Sequence, residues 1–282
     1  MKRILEEILL LPEMQHVQQE LSGGKGCALV TGLGPVHRSL CAAALGGAMK
    51  RPLVAVCSDE GECKRLAGDL EALTGQRPLL LPGRELSLRP GAVQSRQWAY
   101  QRLEALHRLL DEPEQAVVTT ADALCQRCIP QAVLADSVTE LIPGQQHDIQ
   151  ALCRRLAAAG YSRCEQVEGP GQFALRGGIL DVFSPGAEAP VRCEFFDDEI
   201  DSLGVFDPGT QRRTQNIDHA LLLPAGEVLP GWQEGCAEQA AAKLEKAAAR
   251  LRKKPGREAL VQTLEQDAES LRQGTADSSS DR

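Results

Sequence analysis

The stretch Gly32-Leu33-Gly34-Pro35-Val36-His37-Arg38-Ser39 lies between an apolar run and a helical pattern, where parallel α/β domains bind phosphate. Set against G-x-x-x-x-G-K-[ST], Gly32 and Ser39 stand in register, but His37 replaces the second glycine and Arg38 the lysine. Such a loop works by wrapping backbone N–H groups around phosphate oxygens. A Cβ at His37 crowds that backbone, and Pro35 removes a donor. Arg38 brings charge without the compact ammonium of lysine. At the end of the run 116–120, Thr119, Thr120 and Ala121 stand where a motor would place a magnesium-holding carboxylate. Asp122 reads as a helix cap or a first-turn charge. The loop reads as a relic, so no catalytic residue, ATP or magnesium is assigned to this chain.

A second constellation lies at 173–211. In the run 190–196, period-two alternation puts Val191, Cys193 and Phe195 on one face and Arg192, Glu194 and Phe196 on the other. Arginine beside an exposed aromatic is the composition of an interface hot spot. Arg176 precedes Gly177-Gly178, a turn or bulge that would present it on the same surface. The blander alternatives are that Arg192 pairs with Glu194 or Asp181 in a solvated cluster, and that Phe196 is covered by the helix at 148–159. Asp197, Asp198 and Glu199 read as a hairpin tip or a metal-binding set. Gly177, Gly178 and Gly186 read as tight turns.

Ten cysteines are scattered through the chain. Cys27 and Cys57, set in apolar runs, read as small hydrophobes. Cys125 and Cys128 form one C-x-x-C, but a zinc site needs a second ligand pair, and none has fitting spacing. The competing reading is a helical pair of packing thiols. Five histidines in separate segments offer no triad.

These residues must be positioned by elements that the pattern also suggests. The spacing predicts a helix over 3–21, buried strands at 27–32, 52–57, 78–82 and 116–120, and helices between them. The helix carrying Leu66, Leu70 and Leu73 is stopped by Gly75. The loop from Gly83 to Ser95 holds arginines and a Pro-Gly turn. Residues 1–135 thus read as an α/β domain with a doubly wound parallel sheet. Residues 136–224 read as a smaller β-rich domain, and 225–274 as a helical segment packing back on the first domain. Residues 275–282 read as a disordered tail. At 282 residues, 43% hydrophobic and 25% charged, the composition is that of a globular protein. A net charge of -8 lacks the broad basic footprint of an autonomous DNA binder. Glu6 and Glu7 interrupt the opening apolar stretch, no run is long enough to span a bilayer, and a cytoplasmic location is expected.

FALRGGILDVFSPGAEAPVRCEFFDDEIDSLGVFDPGTQ, with GYSRCEQVEGPGQ before it and LLLPA after it, resembles a domain shared by the excinuclease protein UvrB and the bacterial transcription-repair coupling factors. VTGLG, the RLEAL helix and VVTTADAL extend a weaker similarity, so that the resemblance spans most of residues 1–225. The altered loop at His37 and Arg38 favours the coupling factors over UvrB, whose loop is intact. The resemblance implies a degenerate RecA/helicase-like α/β domain carrying an inserted β-rich (α+β) domain. It further implies docking of the excinuclease protein UvrA at Arg176, Arg192 and Phe196. RNA polymerase, double-stranded DNA and an ATP- and magnesium-dependent motor belong to longer members of that family. On this reading Arg192→Ala and Phe196→Ala weaken docking and leave unfolding nearly unchanged.

Overall fold

The computed structural model describes residues 2–23, 26–84 and 96–273. The expected features of residues 85–95 and of the tail at 275–282 lie outside the described residues. The chain divides into two compact units, residues 1–84 with 105–127, and residues 85–104 with 128–282.

The first unit holds α1 (Lys2–Leu9), α2 (Pro12–Ser22), α3 (Pro35–Met49), β1 (Val54–Cys57), α4 (Glu60–Thr74), β2 (Leu79–Leu81), the later part of α5 (Arg96–Asp111), β3 (Val117–Thr120) and α6 (Ala121–Cys125). Its three strands are parallel in the order β1-β3-β2, with Val117 opposite both Val54 and Leu79. One face packs Val118 and Cys57 against Ala43, Cys63, Leu66, Ala67 and Leu70, while Leu79, Leu81 and Val117 pack against Ala105. Asp59 caps α4 by accepting from the Glu62 N–H at 2.9 Å, and Gly75 ends it at φ 76°, the left-handed conformation expected of it.

Two expectations fail here. The single helix over 3–21 is two helices, because Pro12 forces Leu11 into an extended conformation (ψ 134°) at the junction. Nor is the run at 27–32 a strand, and Leu29 is 90% exposed. Apolar character alone does not make a ladder. Both sides of β3 are occupied by β1 and β2, and residues 27–31 pair with neither outer strand.

The second unit holds α7 (Gln131–Ser137), β4 (Thr139–Leu141), α8 (Ile149–Ala158), β5 (Ser162–Arg163), β6 (Gln172–Arg176), β7 (Ile179–Phe183), β8 (Val191–Phe196), β9 (Glu199–Phe206), β10 (Arg213–Ile217), β11 (Ala220–Leu222), α9 (Cys236–Leu251) and α10 (Glu258–Gln273). The strands β10-β9-β8-β7-β6-β5 form one sheet, antiparallel except at β5–β6. The chain is therefore a mixed α/β protein with parallel and antiparallel sheets.

Leu152, Cys153 and Leu156 of α8 cover one face of the six-stranded sheet, meeting Leu180, Val182, Val191, Cys193, Ile200 and Leu203. The other face has a smaller core of Val167, Ala174, Phe183 and Phe206, and beyond it carries charged side chains together with exposed Ile179 and Phe196. Further along the chain, α9 and α10 pack on each other through Ala241, Ala268 and Leu271. Among the described residues no helix is long and apolar enough to cross a membrane.

Candidate docking site

The β6–β7 hairpin turns on Gly177-Gly178, with Gly177 at φ 61° and Arg176 opposite Ile179. A Cβ at Gly178 would lie 3.0 Å from the Phe195 carbonyl oxygen, so this turn also needs close backbone approach. The β8–β9 hairpin turns on Asp197-Asp198, with Asp197 at φ 54°. These carboxylates sit in a tight turn, and among the described residues no three His, Cys, Asp or Glu side chains are placed to hold a metal.

The alternation expected of β8 holds despite a bulge between Glu194 and Phe195. Val191, Cys193 and Phe195 meet the α8 core, while Phe196 is 75% exposed and is not covered by α8. Arg192, however, is not a solvated side chain. It stands opposite Asp181 of β7, to which it donates from Nε at 2.7 Å and from Nη2 at 2.9 Å. Its Nη1 donates to the Gln211 carbonyl at 3.1 Å, and its guanidinium lies 4.6 Å from the centre of the Phe206 ring. The hydrogen bonds to Asp181 raise the Arg192 pKa above its ordinary value. Arg176 reaches the same carboxylate at 2.8 Å but keeps half its side chain exposed. One buried aspartate thus orients both arginines, and the more exposed one reaches solvent beside Ile179 and Phe196.

Sequence patterning missed Ile179, Gly204, Gln211 and Arg213, which share this neighbourhood. Gln211, at φ 60°, ties the loop after β9 to the Val167 carbonyl at 3.1 Å. Only strand register, which no local pattern carries, brings these residues together.

The altered phosphate loop is engaged by the protein itself. Gly32 (φ 79°) and Gly34 lead into α3, so His37, Arg38 and Ser39 lie in its first turns. Arg38 pairs with Glu62 at 2.8 Å, and buried Ser39 donates to Asp69 at 2.6 Å. Glu62 is held below the usual carboxylate range, first by the Ser58 N–H and hydroxyl and then by Arg38 and Arg65. Asp122 stands in the first turn of α6, its pKa lowered chiefly by the Thr120 hydroxyl. The C-x-x-C is not a packing pair on one helix. Cys125 is exposed at the end of α6, and exposed Cys128, beyond it, accepts from Arg102 Nη2 at 3.1 Å.

Residues 139–227 match the family described as the UvrB interaction domain, a span that takes in the whole six-stranded sheet. The chain is 36% identical over 222 residues to a transcription-repair-coupling factor of Myxococcus xanthus, covering 76% of this chain and 18% of that protein. It belongs to the transcription-repair-coupling factor family. A Bacillus subtilis member is 29% identical over 252 residues (88% of this chain, 21% of that one). An Escherichia coli member is 32% identical over 198 residues (69% and 17%). The chain therefore spans about a fifth of the length of the coupling factors it matches.

Proposed function

We propose that this chain is the amino-terminal module of a transcription-repair coupling factor, and that its six-stranded sheet recruits the excinuclease protein UvrA during transcription-coupled nucleotide excision repair. The observation that carries the reading is the exposed Phe196 ring, on the same sheet face as Arg176 and Arg192. A phenyl ring left uncovered in water gains the fold nothing, whereas an aromatic beside oriented arginines is what interface hot spots use. In this reading Phe196 enters an apolar socket on the partner. Arg176 supplies the charged contact, and Arg192 holds Asp181 and the surrounding loops in place.

The first unit serves as a helicase-like domain without nucleotide chemistry. Arg38, which stands in the place of the loop's lysine, is paired with Glu62 in a hollow beside α3 that Asp59 and Arg65 also line, so its charge is already met within the protein. RNA polymerase, double-stranded DNA and ATP-driven movement belong in this proposal to longer members of the family, acting in the cytoplasm.

The test is calorimetric binding of the purified chain to UvrA, beside Phe196→Ala and Arg176→Ala. Binding that drops more than tenfold in both folded variants would support the assignment. Variants that bind as the parent does would move the docking surface elsewhere, and no binding by the parent chain would remove the recruiting role.

A further inference from the structure

We propose that Arg213 is a further docking residue of this face, held in a resting position on Gly204 until a carboxylate of the partner draws it off. This rests on the docking reading above and deepens it by naming an additional residue and the chemistry it meets.

Arg192 of β8 stands opposite Gly204 of β9, and Glu194 stands opposite both Ile179 of β7 and Ser202 of β9. One face of the sheet thus runs from Arg176 and Ile179, through Arg192 and Glu194, to the edge strand β10. Arg213 on that strand reaches back over β9, donating from Nη1 to Ser202 at 2.9 Å and to Glu194 at 3.3 Å. Gly204 makes the path possible. A Cβ there would stand 2.0 Å from Arg213 Nε and 2.7 Å from its Cζ. The guanidinium therefore lies in a bed that no other residue type at position 204 would leave open.

That bed is a poor one for a cation. Nε and Nη2 of Arg213 are shielded from solvent, and no acceptor among the described residues meets them. An arginine has five N–H donors, and donors buried without acceptors carry the full cost of their lost hydration. The Arg213 side chain is still 24% exposed, on the edge strand of the sheet. Leaving Gly204 would free these donors, and a bidentate carboxylate satisfies a guanidinium fork in a way that the single Nη1 contacts do not.

The partner chemistry follows from the charge of the face. Arg176, Arg192 and Arg213 share it with Asp181, Glu194 and, beside Phe196, Glu199, and Asp181 is buried and already bound to the first two arginines. Among the described residues Glu194 is the carboxylate that pairs with Arg213. A partner surface with an acidic side chain next to an apolar socket fits both the unsatisfied fork and the exposed Ile179 and Phe196. Glu194 is then a competitor of the partner's carboxylate, which gives the proposal an outcome that a purely structural Arg213 would not share.

The experiment measures the Kd of UvrA for the parent chain, Arg213→Ala, Arg213→Lys and Glu194→Gln, with circular dichroism melts for each. Arg213→Ala is expected to weaken binding by about tenfold, with Arg213→Lys recovering part of it. Glu194→Gln, which frees Arg213 without removing it, is expected to tighten binding about threefold. Should the parent chain bind while Arg213→Ala and Glu194→Gln leave its affinity within about twofold, Arg213 is a structural clip and the proposal falls, with the docking reading intact. Should Arg213→Ala fail to fold, Glu194→Gln alone decides: unchanged or weaker binding overturns the proposal. Absence of binding by the parent chain overturns the docking reading and this inference with it.

Discussion

The carboxylate of Asp181, 1% exposed, is gripped by both Nε and Nη2 of Arg192 from the neighbouring strand. That fork is itself only 14% exposed, so the pair is a structural element of the six-stranded sheet as much as a feature of its surface.

Arg192→Ala is therefore expected to destabilise the folded chain, contrary to what a solvated arginine would do. The substitution leaves Asp181 buried with Arg176 alone and frees the Gln211 carbonyl that Nη1 holds. Breaking a buried pair by removing one partner costs about 2–4 kcal/mol. Urea unfolding of Arg192→Ala against the parent chain measures it. A loss of binding in this variant would mix folding with contact, so Arg192→Lys, which keeps the charge, is its necessary companion.

Phe196→Ala should behave in the opposite way. With three quarters of the residue in solvent, truncation removes little buried area, and the stability change is expected within about 0.5 kcal/mol. The loss in affinity for UvrA is expected to be about 2 kcal/mol, as for an aromatic anchor. A thermal melt and a titration on the same preparation separate the two quantities. A drop in stability of about 3 kcal/mol, the value for a buried ring, would return Phe196 to the core.

How far the sequence carried the reading depends on the range of each interaction. The helix carrying Leu66 and Leu70, its stop at Gly75, and the two faces of β8 follow from neighbours within a few positions, and they stand where the pattern puts them. The run 27–32 shows the limit. Its apolar residues are those of a buried strand, but a strand needs a partner, and partnering is decided elsewhere in the chain. Arg176, Arg192 and Phe196 stood out by composition and by resemblance, and strand register places them on one face of the six-stranded sheet. Arg213 did not stand out, because its place depends on Gly204 and on a register shift between Arg213 and Gln215.

Arg102 and Glu227 form another pairing hidden from local pattern, at 2.6 Å and almost wholly buried within the second unit. Glu227→Ala removes the carboxylate that faces the buried Arg102 guanidinium at 2.6 Å, and a loss of about 3–5 kcal/mol is expected in denaturant unfolding. Replacing both partners together, as Arg102→Met with Glu227→Leu, should recover much of that loss, because no buried charge then remains at the pair. A double variant no more stable than Glu227→Ala would instead mean that the other contacts of Arg102, such as that to Cys128, matter more than the ion pair.

The cysteines should divide sharply by reactivity. Thiol reagents attack the thiolate, so both access and pKa govern the rate. Burial pushes Cys193 up to about 12 and, with Cys57 beside it, Cys63 up to about 12. Near pH 8 both groups are neutral as well as shielded, while Cys27, Cys125 and Cys128 are open to solvent. Timed labelling with a maleimide at pH 8, mapped by mass spectrometry, is expected to modify the three exposed thiols first. Cys63 and Cys193 should react only as the chain unfolds. Raising the pH toward 9 should not bring in the buried pair, because those two thiols titrate far above that range. Labelling of Cys193 at the rate of Cys125 would mean that the sheet under α8 opens far more often than a closed core of Leu156, Leu180 and Leu203 allows.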